Sequence, residues 1–199
     1  MYSVAIQAGG ASSRMGQDKA LLPFLGETLL ARVMKRISSL GDEVFVTTNH
    51  PERFTDFGVS LVRDELPGKG ALGGLYTALR AARYPLVIVV ACDMPFVNAE
   101  ILAEACDRIL ANEVDVLVPF TNEGYEPFHA VYRRDTCLPA VYAALQAGER
   151  RLISWFPQVE VLTLSGDEML RYDPHQLAFW NVNTPDDLHR AEELAVELA

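Results

Sequence analysis

The feature that most constrains the fold is the run Leu86–Ala91, in which six consecutive residues are apolar. A strand that faces water on one side alternates apolar and polar residues, so an unbroken run predicts a strand covered on both faces. Such strands are typical of parallel sheets with helices on each side. Other candidate strands alternate along the chain with helical patterns, and that order indicates an α/β domain.

The remaining elements are predicted from apolar periodicity and turn residues. Further strands are expected at 3–8, 44–48, 59–63, 115–119, 129–132, 159–164 and 179–182. Helices are expected at 28–40, 75–82, 98–110, 135–147, 150–156 and 184–198, with a polar connector at 165–175. Asn98 and Thr184 are predicted helix caps, Gly41 is predicted to end a helix in left-handed conformation, and Gly148 is predicted to stop the helix at 135–147. The expected fold is a three-layer Rossmann-like α/β domain with a mainly parallel sheet.

Composition excludes several classes of function. Half of the 199 residues are hydrophobic, enough to bury the core of a single domain spanning 1–199. The net charge of -10 argues against nucleic-acid binding, which requires many Lys and Arg residues to neutralise phosphates. Neither a secretory signal pattern nor an apolar run of about eighteen residues is present, so we expect a cytoplasmic protein with no membrane contact.

The three cysteines are expected to be reduced. Cys92, Cys106 and Cys137 are an odd number and include no close pair of the zinc-binding kind. We expect Cys92 and Cys106 to act as small hydrophobic residues, whereas a catalytic Cys137 would need a neighbouring base.

A glycine-rich loop follows the first predicted strand. Gly9 and Gly10 let the backbone approach a ligand closely, and Arg14 and Lys19 bring two positive charges to the same segment. This combination suits a triphosphate. It matches neither the dinucleotide-binding glycine motif nor the Walker A loop, because Lys19 stands three residues after Gly16. The alternative is a solvent-exposed turn with ordinary surface charges.

Asp93 directly follows the buried run, within Cys92-Asp93-Met94-Pro95. In open α/β sheets ligands bind outside the carboxyl ends of the strands. Asp93 is therefore our candidate ligand for Mg²⁺, which prefers hard oxygen donors. A helix cap or an ordinary loop aspartate is the alternative.

Two further polar segments follow predicted strands. Asp64 begins a loop that is flexible enough to wrap a base or ribose, although a plain loop would have the same composition. Its glycines are Gly68, Gly70, Gly73 and Gly74. Asn181 and Asn183 share one face of the last predicted strand by the period-two rule, so Asn183 is a candidate to assist the metal or its waters. Turn and capping chemistry is the alternative for this segment.

Together these motifs resemble those of the molybdenum cofactor guanylyltransferases, within the nucleotidylyltransferase superfamily, and the resemblance runs from end to end. The matching segments are Ala8-Gly9-Gly10, Ser12, Arg14-Met15-Gly16, Lys19-Ala20-Leu21-Leu22, Gly73-Gly74, Cys92-Asp93-Met94-Pro95, Gly148-Glu149-Arg150-Arg151 and Asn181-Val182-Asn183-Thr184-Pro185. The opening motif and the Cys-Asp-x-Pro motif are shared by a wider group of nucleotidylyltransferases, so they specify the chemistry better than the substrate. The resemblance implies one antiparallel strand in a mixed sheet.

The motifs and the resemblance together assign roles to individual residues. Catalysis is expected of Arg14, Lys19 and Asp93. Nucleotide binding is expected of Gln7, Ala8, Gly9, Gly10, Lys19, Thr47, Asp64, Gly70, Gly74 and Asp93. Mg²⁺ binding is expected of Asp93 and Asn183. Gln7 is a departure, since the resembled family usually has an apolar residue, commonly leucine, at this position.

The implied reaction transfers GMP from GTP to Mo-molybdopterin with Mg²⁺ as cofactor, giving molybdopterin guanine dinucleotide and pyrophosphate. The nucleotide is expected in the half formed by 1–110 and the acceptor in the half formed by 111–199. Molybdoenzyme apoproteins and their chaperones are the expected protein partners. The alternatives are a cytidylyltransferase or another NTP transferase of the superfamily, and a non-catalytic accessory that carries nucleotide or cofactor.

Overall fold

The computed structural model describes residues 1–9 and 18–198, which form strands and helices in alternation. The strands are β1 (Tyr2–Gln7), β2 (Pro23–Phe24), β3 (Glu27–Thr28), β4 (Glu43–Thr48), β5 (Ser60–Arg63), β6 (Leu86–Ala91), β7 (Val116–Thr121), β8 (Gly124–Tyr125), β9 (His129–Arg133) and β10 (Val161–Ser165). The helices are α1 (Leu29–Ile37), α2 (Gly70–Ala81), α3 (Ala99–Ala111), α4 (Arg134–Gln146), α5 (Gly166–Met169) and α6 (Pro185–Glu197).

The main sheet is mixed and mostly parallel, with the order β10-β7-β9-β6-β1-β4-β5 and with β8 paired to β7. Strands β6, β1, β4 and β5 run parallel to one another, and β7 and β10 are parallel to each other. Strand β9 is antiparallel to both of its neighbours, β6 and β7. It is the antiparallel strand that the resemblance implied, and the two-residue β8, which is antiparallel to β7, adds a second antiparallel strand. Strands β2 and β3 form a separate hairpin.

Helices cover both faces of the sheet, which confirms the three-layer α/β prediction. On one face, apolar residues of α1 and α3 pack against the sheet in one hydrophobic cluster. On the other face, residues of α2 and α4 form a second cluster around Trp155. Every residue of β6 is buried between β1 and β9, as its unbroken apolar sequence predicts.

Helix α6 packs against the first layer and forms a third, smaller cluster. Its Ala191 and the preceding Val182 lie against Phe24, Leu29 and Phe96. Thr184 caps α6 by accepting a hydrogen bond from the backbone amide of Asp187, and Pro185 is its first residue. The chain just before α6 is thereby fixed beside the loop that follows β6, where the Val182 amide donates to the Asp93 carbonyl (2.9 Å).

Two stretches differ from the sequence prediction because tertiary contacts and tight turns decide them. Residues 150–156 form turns that bury Trp155, whose Nε1 donates to the Leu152 carbonyl (2.8 Å), and no α-helix forms there. Residues 179–182 form no strand, since Val182 bonds to the β6 loop and Asn181 Nδ2 bonds back to the Phe179 carbonyl (2.9 Å). The predicted connector 165–175 contains the short helix α5.

Two glycines near helix ends, Gly148 and Gly41, are required for different reasons, the first by its backbone conformation and the second by close packing. Gly148 ends α4 with a φ of 81°, as predicted. Gly41 does not adopt the predicted left-handed conformation, since its φ is -117°. A Cβ at Gly41 would lie 2.7 Å from Val4 Cγ2, so this glycine is required by close packing. Helix α2 begins at Gly70, five residues before the predicted start at Leu75.

No helix among the described residues has both the length and the apolar character needed to cross a membrane.

Candidate functional site

Three polar side chains lie together where β1, β4 and β5 end, those of Gln7, Thr47 and Asp64. Side chains two positions apart on a strand share a face. Two positions before each of these three residues is an apolar residue that packs in the cluster formed with α2, namely Ala5, Phe45 and Val62. Gln7, Thr47 and Asp64 therefore extend the same face at the carboxyl edge of the sheet, and Gln7 and Thr47 are direct partners in the β1–β4 register.

These residues line a narrow cleft between the strand ends and the start of α2. Its lining consists of Gln7, Gly9, Thr47, Thr48, Asp64, Gly70 and Gly74. All except Thr48 were predicted nucleotide-binding residues, so the structure brings them to one place. Ala8 differs: it is buried in the cluster on the opposite face, and its amide donates to the Thr47 carbonyl (2.9 Å). Ala8 therefore shapes the cleft through the backbone and does not line it.

Asp64 is held by a network that sequence reasoning did not find. The hydroxyl of Thr77 in α2 donates to Asp64 Oδ1 (2.8 Å), and the Leu66 amide donates to the same oxygen (3.2 Å). Thr77 also accepts a hydrogen bond from the Glu65 amide (3.1 Å) and is fully buried. Because Thr77 lies within α2, only the three-dimensional packing reveals that it orients Asp64.

The N-terminus of α2 opens onto the cleft. Gly70 has a left-handed φ of 62° and lines the cleft, and Lys69, at the N-cap position, makes no side-chain capping bond. The first amides of a helix have no partner within it and carry partial positive charge, so they favour anionic groups. This end of α2 is therefore suited to phosphate oxygens.

Lys19, Asp93 and Asn183 meet next to this cleft. The ammonium of Lys19 lies 3.2 Å from Asp93 Oδ2 and donates a hydrogen bond to Asn183 Oδ1 at 2.7 Å. The Lys19 and Asp93 side chains are 23% and 19% exposed, so water reaches the pair. An ion pair of this kind contributes at most about 1 kcal/mol to stability. The cluster unites three of the predicted site residues from distant parts of the chain.

Backbone contacts fix the position of each member of this cluster. The Cys92 amide donates to the Gln7 carbonyl (3.0 Å), which keeps the loop carrying Asp93 against the end of β1. The backbone amide of Asn183 donates to Asp187 Oδ2 (2.9 Å) in the first turn of α6. That bond is the main cause of the lowered pKa of Asp187, and the charge of Lys19 contributes. Asp187 therefore takes part in capping α6 and also orients Asn183.

The donor atoms of the cluster fit a magnesium ion. A carboxylate oxygen of Asp93 and an amide oxygen of Asn183 converge on one cationic group, the Lys19 ammonium. Mg²⁺ typically takes one or two protein oxygens and completes its shell with water and substrate phosphates. The described residues contain no group of three or more His, Cys, Asp or Glu residues arranged for a metal, so a magnesium ion here would depend on ligands from the substrate.

Two predicted residues, Arg14 and Gly10, lie outside the described residues. Their predicted roles remain predictions.

The cysteines and His129 provide no nucleophile or general base. Cys92, Cys106 and Cys137 are buried, and burial raises the pKa of each thiol, to about 12 for the latter two. His129 is fully buried, its Nε2 accepts a hydrogen bond from the Asn98 amide (3.0 Å), and burial lowers its pKa to about 4. His129 is thus a neutral packed residue that connects β9 to the start of α3.

The chain is similar in sequence to known proteins over most of its length. A family model described as the MobA-like NTP transferase domain matches residues 4–161. A protein of Pelotomaculum thermopropionicum named "probable molybdenum cofactor guanylyltransferase" is 35% identical, covering 96% of this chain and 91% of the relative. A molybdenum cofactor guanylyltransferase of Desulfosudis oleivorans is 31% identical, covering 94% of this chain and 92% of the relative.

Among solved structures, the molybdopterin-guanine dinucleotide biosynthesis protein A of Archaeoglobus fulgidus has a similar fold. The TM-score is 0.85 at 26% sequence identity, covering 98% of this chain and 99% of that one. The likeness therefore extends over both the cleft at the start of α2 and the segment that carries Asn183.

Proposed function

The chain belongs to the MobA-like NTP transferase family, and on that premise we propose that it transfers GMP from GTP to Mo-molybdopterin with the help of Mg²⁺. The observation that carries the proposal is the meeting of Lys19, Asp93 and Asn183 beside the cleft of Asp64 and Gly70. This arrangement offers cationic and metal-binding groups for phosphates next to a cleft, lined in part by Asp64, for the nucleoside. The guanylyltransferase names of the relatives supply the identity of nucleotide and acceptor.

In this reaction the terminal phosphate of molybdopterin attacks the α-phosphorus of GTP. A new P–O bond forms between an oxygen of the acceptor phosphate and the α-phosphorus, the bond from the α-phosphorus to the α,β-bridging oxygen breaks, and pyrophosphate leaves with that oxygen. The attacking phosphate is already ionised, so no general base is needed. Since both reactants are anions, catalysis depends on positioning and on charge neutralisation.

The chain's own residues would supply both. Lys19 places an ammonium where the triphosphate enters, and Arg14, from the same predicted loop, would add a guanidinium. Asp93 and Asn183 would hold Mg²⁺, which neutralises charge on the phosphates and orients them. The start of α2 at Gly70 offers backbone amides to phosphate oxygens.

The nucleoside would lie in the cleft formed by Gln7, Thr47, Asp64 and Gly74. We place the acceptor on the half formed by 111–199, whose strands β7 to β10 continue the sheet beyond β6. The dinucleotide product would then pass to molybdoenzyme apoproteins, alone or with their chaperones.

The test is a steady-state assay of pyrophosphate release with Mo-molybdopterin as acceptor and GTP, CTP or ATP as donor at one Mg²⁺ concentration. A site that hydrogen-bonds a substrate group discriminates against analogues lacking it by roughly 10⁴-fold, so GTP should be strongly preferred. CTP equal to or better than GTP would refute the guanylyl assignment and leave the transferase chemistry standing. Nucleotide binding without pyrophosphate release would instead indicate a non-catalytic accessory.

A further inference from the structure

Gln7 lines the cleft, and its side-chain donor has no hydrogen-bond partner among the described residues. The residue is only 6% exposed, and its Nε2 is buried without a hydrogen-bond partner among the described residues. A buried polar group that lacks a partner costs free energy, and most such groups in folded proteins are paired. Gln7 also lines the cleft, so an occupant of the cleft is positioned to supply the missing acceptor.

Helix α2 is built to accommodate this amide. A Cβ at Gly74 would lie 2.5 Å from Gln7 Oε1, which is closer than a Cβ atom approaches a non-bonded oxygen. Gly74 therefore leaves room for the amide of Gln7 to lie flat against the helix. The Gln7 side chain, which extends from β1, is confined against α2 and therefore lacks the freedom of a surface side chain.

The cleft presents an acceptor as well as this donor. Asp64 Oδ1 is occupied by the Thr77 hydroxyl and the Leu66 amide. Asp64 Oδ2 makes no hydrogen bond within the part of the chain that the structure describes. A neutral donor from Gln7 and a carboxylate acceptor from Asp64 thus border one cavity, whereas the cationic group of Lys19 lies at the metal-binding cluster. This polarity suits an uncharged ligand edge that has an acceptor beside a donor.

We propose that Gln7 determines base specificity by donating a hydrogen bond from Nε2 to the O6 carbonyl of guanine, an inference that rests on the proposed function. Guanine presents O6 beside the N1–H donor, which matches the donor and acceptor in the cleft. A purine with an amino group at position six presents a donor to Gln7 and lacks the N1 hydrogen, so both contacts are lost. Gln7 would therefore favour guanine over six-amino purines through its side chain, at a position where the resembled family usually has an apolar residue.

The experiment measures equilibrium binding, by calorimetry with Mg²⁺ and without acceptor, of three nucleotides. The first is GTP. The second is inosine triphosphate, which keeps O6 but lacks the amino group at position 2. The third is 2,6-diaminopurine riboside triphosphate, which keeps the amino group at position 2 but carries an amino group in place of O6. Gln7→Leu should weaken the binding of GTP and inosine triphosphate by about tenfold each, as expected for loss of one hydrogen bond. Binding of the diaminopurine nucleotide should be unchanged or tighter.

Gln7→Met, an unbranched side chain of similar length, controls for packing and should give the same pattern. An equal change for all three nucleotides in both variants, or no change in any, would overturn the role of Gln7. The wild-type protein separates this outcome from failure of the proposed function. If wild type does not prefer GTP over CTP and ATP, the guanylyl proposal fails; if wild type prefers GTP but the variants lose affinity for all three nucleotides alike, only the proposal for Gln7 fails.

Discussion

Replacing Thr77 with valine tests whether the buried network around Asp64 serves nucleotide binding. The change removes the hydroxyl proton that Asp64 Oδ1 (2.8 Å) and the Gly73 carbonyl (3.0 Å) share as acceptors, and it leaves the Glu65 amide without the acceptor that it reaches at 3.1 Å. Thr77 is fully buried, so water has no direct route to replace its hydroxyl. Asp64 then keeps only the bond from the Leu66 amide (3.2 Å).

The size of the effect follows from these contacts. A hydrogen bond to a charged group contributes about 1.5–3 kcal/mol to stability, and loss of the acceptor costs the partly buried Glu65 amide less than the about 1–3 kcal/mol of a fully buried one. Because the two losses are coupled and Asp64 retains one partner, we expect the free energy of unfolding to fall by about 2–4 kcal/mol. We also expect the Kd for GTP to rise about tenfold, equivalent to about 1.4 kcal/mol, because Asp64 is less firmly oriented.

Thr77→Ser is the matched control, since it keeps the hydroxyl and loses only a buried methyl group. Urea unfolding and calorimetric titration with GTP and Mg²⁺ are measured for both variants and for wild type. The serine variant should lose roughly 1 kcal/mol of stability from the methyl group and bind GTP almost normally. The reasoning is refuted if the valine variant binds GTP as tightly as the serine variant, or if both lose affinity equally.

Three further perturbations address the metal cluster and the buried histidine. Asp93→Asn should keep the fold but lose most Mg²⁺-dependent turnover, because a neutral amide supplies no anionic ligand; near-normal activity at limiting Mg²⁺ would remove Asp93 from the metal site. Lys19→Ala should lower kcat/KM by more than about 100-fold, whereas Lys35→Ala, at an exposed position on α1, should not change it; retained activity in the first variant would contradict this role. His129, with its pKa lowered to about 4, should make the protein less stable as the pH falls from about 6.5 towards 4, since only the unfolded chain takes up that proton. Urea unfolding over this range should show a flatter pH profile for His129→Gln, and an unchanged profile would exclude the histidine as the cause.

Much of the fold could be predicted because neighbouring residues determine it. The apolar run of β6 specifies a strand buried on both faces, and all six of its residues are buried in the structure. Asn98 caps α3 by accepting from the amides of Glu100 and Ile101, as its residue type predicts. These features need no knowledge of distant contacts, and so sequence patterns suffice to identify them.

The elements that could not be predicted depend on distant contacts or on packing. Residues 150–156 have a helix-forming composition, but they form tight turns in which the Trp155 side chain is buried. Gly41 looks like a helix end in sequence, yet a close approach to Val4 explains it. Thr77 carries no motif at all, and its importance depends on the position of Asp64 across the β5–α2 connection.

Asn183 shows how a candidate site residue can lie beside its expected neighbours although its local structure was predicted wrongly. The sequence predicts Asn183 at the end of a strand at 179–182, and the structure has no strand there. What brings its amide oxygen to Lys19 is the bond from the Val182 amide to the Asp93 carbonyl, together with the hold of Asp187 on the Asn183 backbone. Both contacts act on backbone atoms, so they leave the Asn183 side chain available for Lys19 or a metal ion. The strand prediction was wrong because backbone pairing with the β6 loop takes the place of pairing with the sheet, whereas the metal-binding role of Asn183 stays a prediction that its amide oxygen beside Lys19 supports.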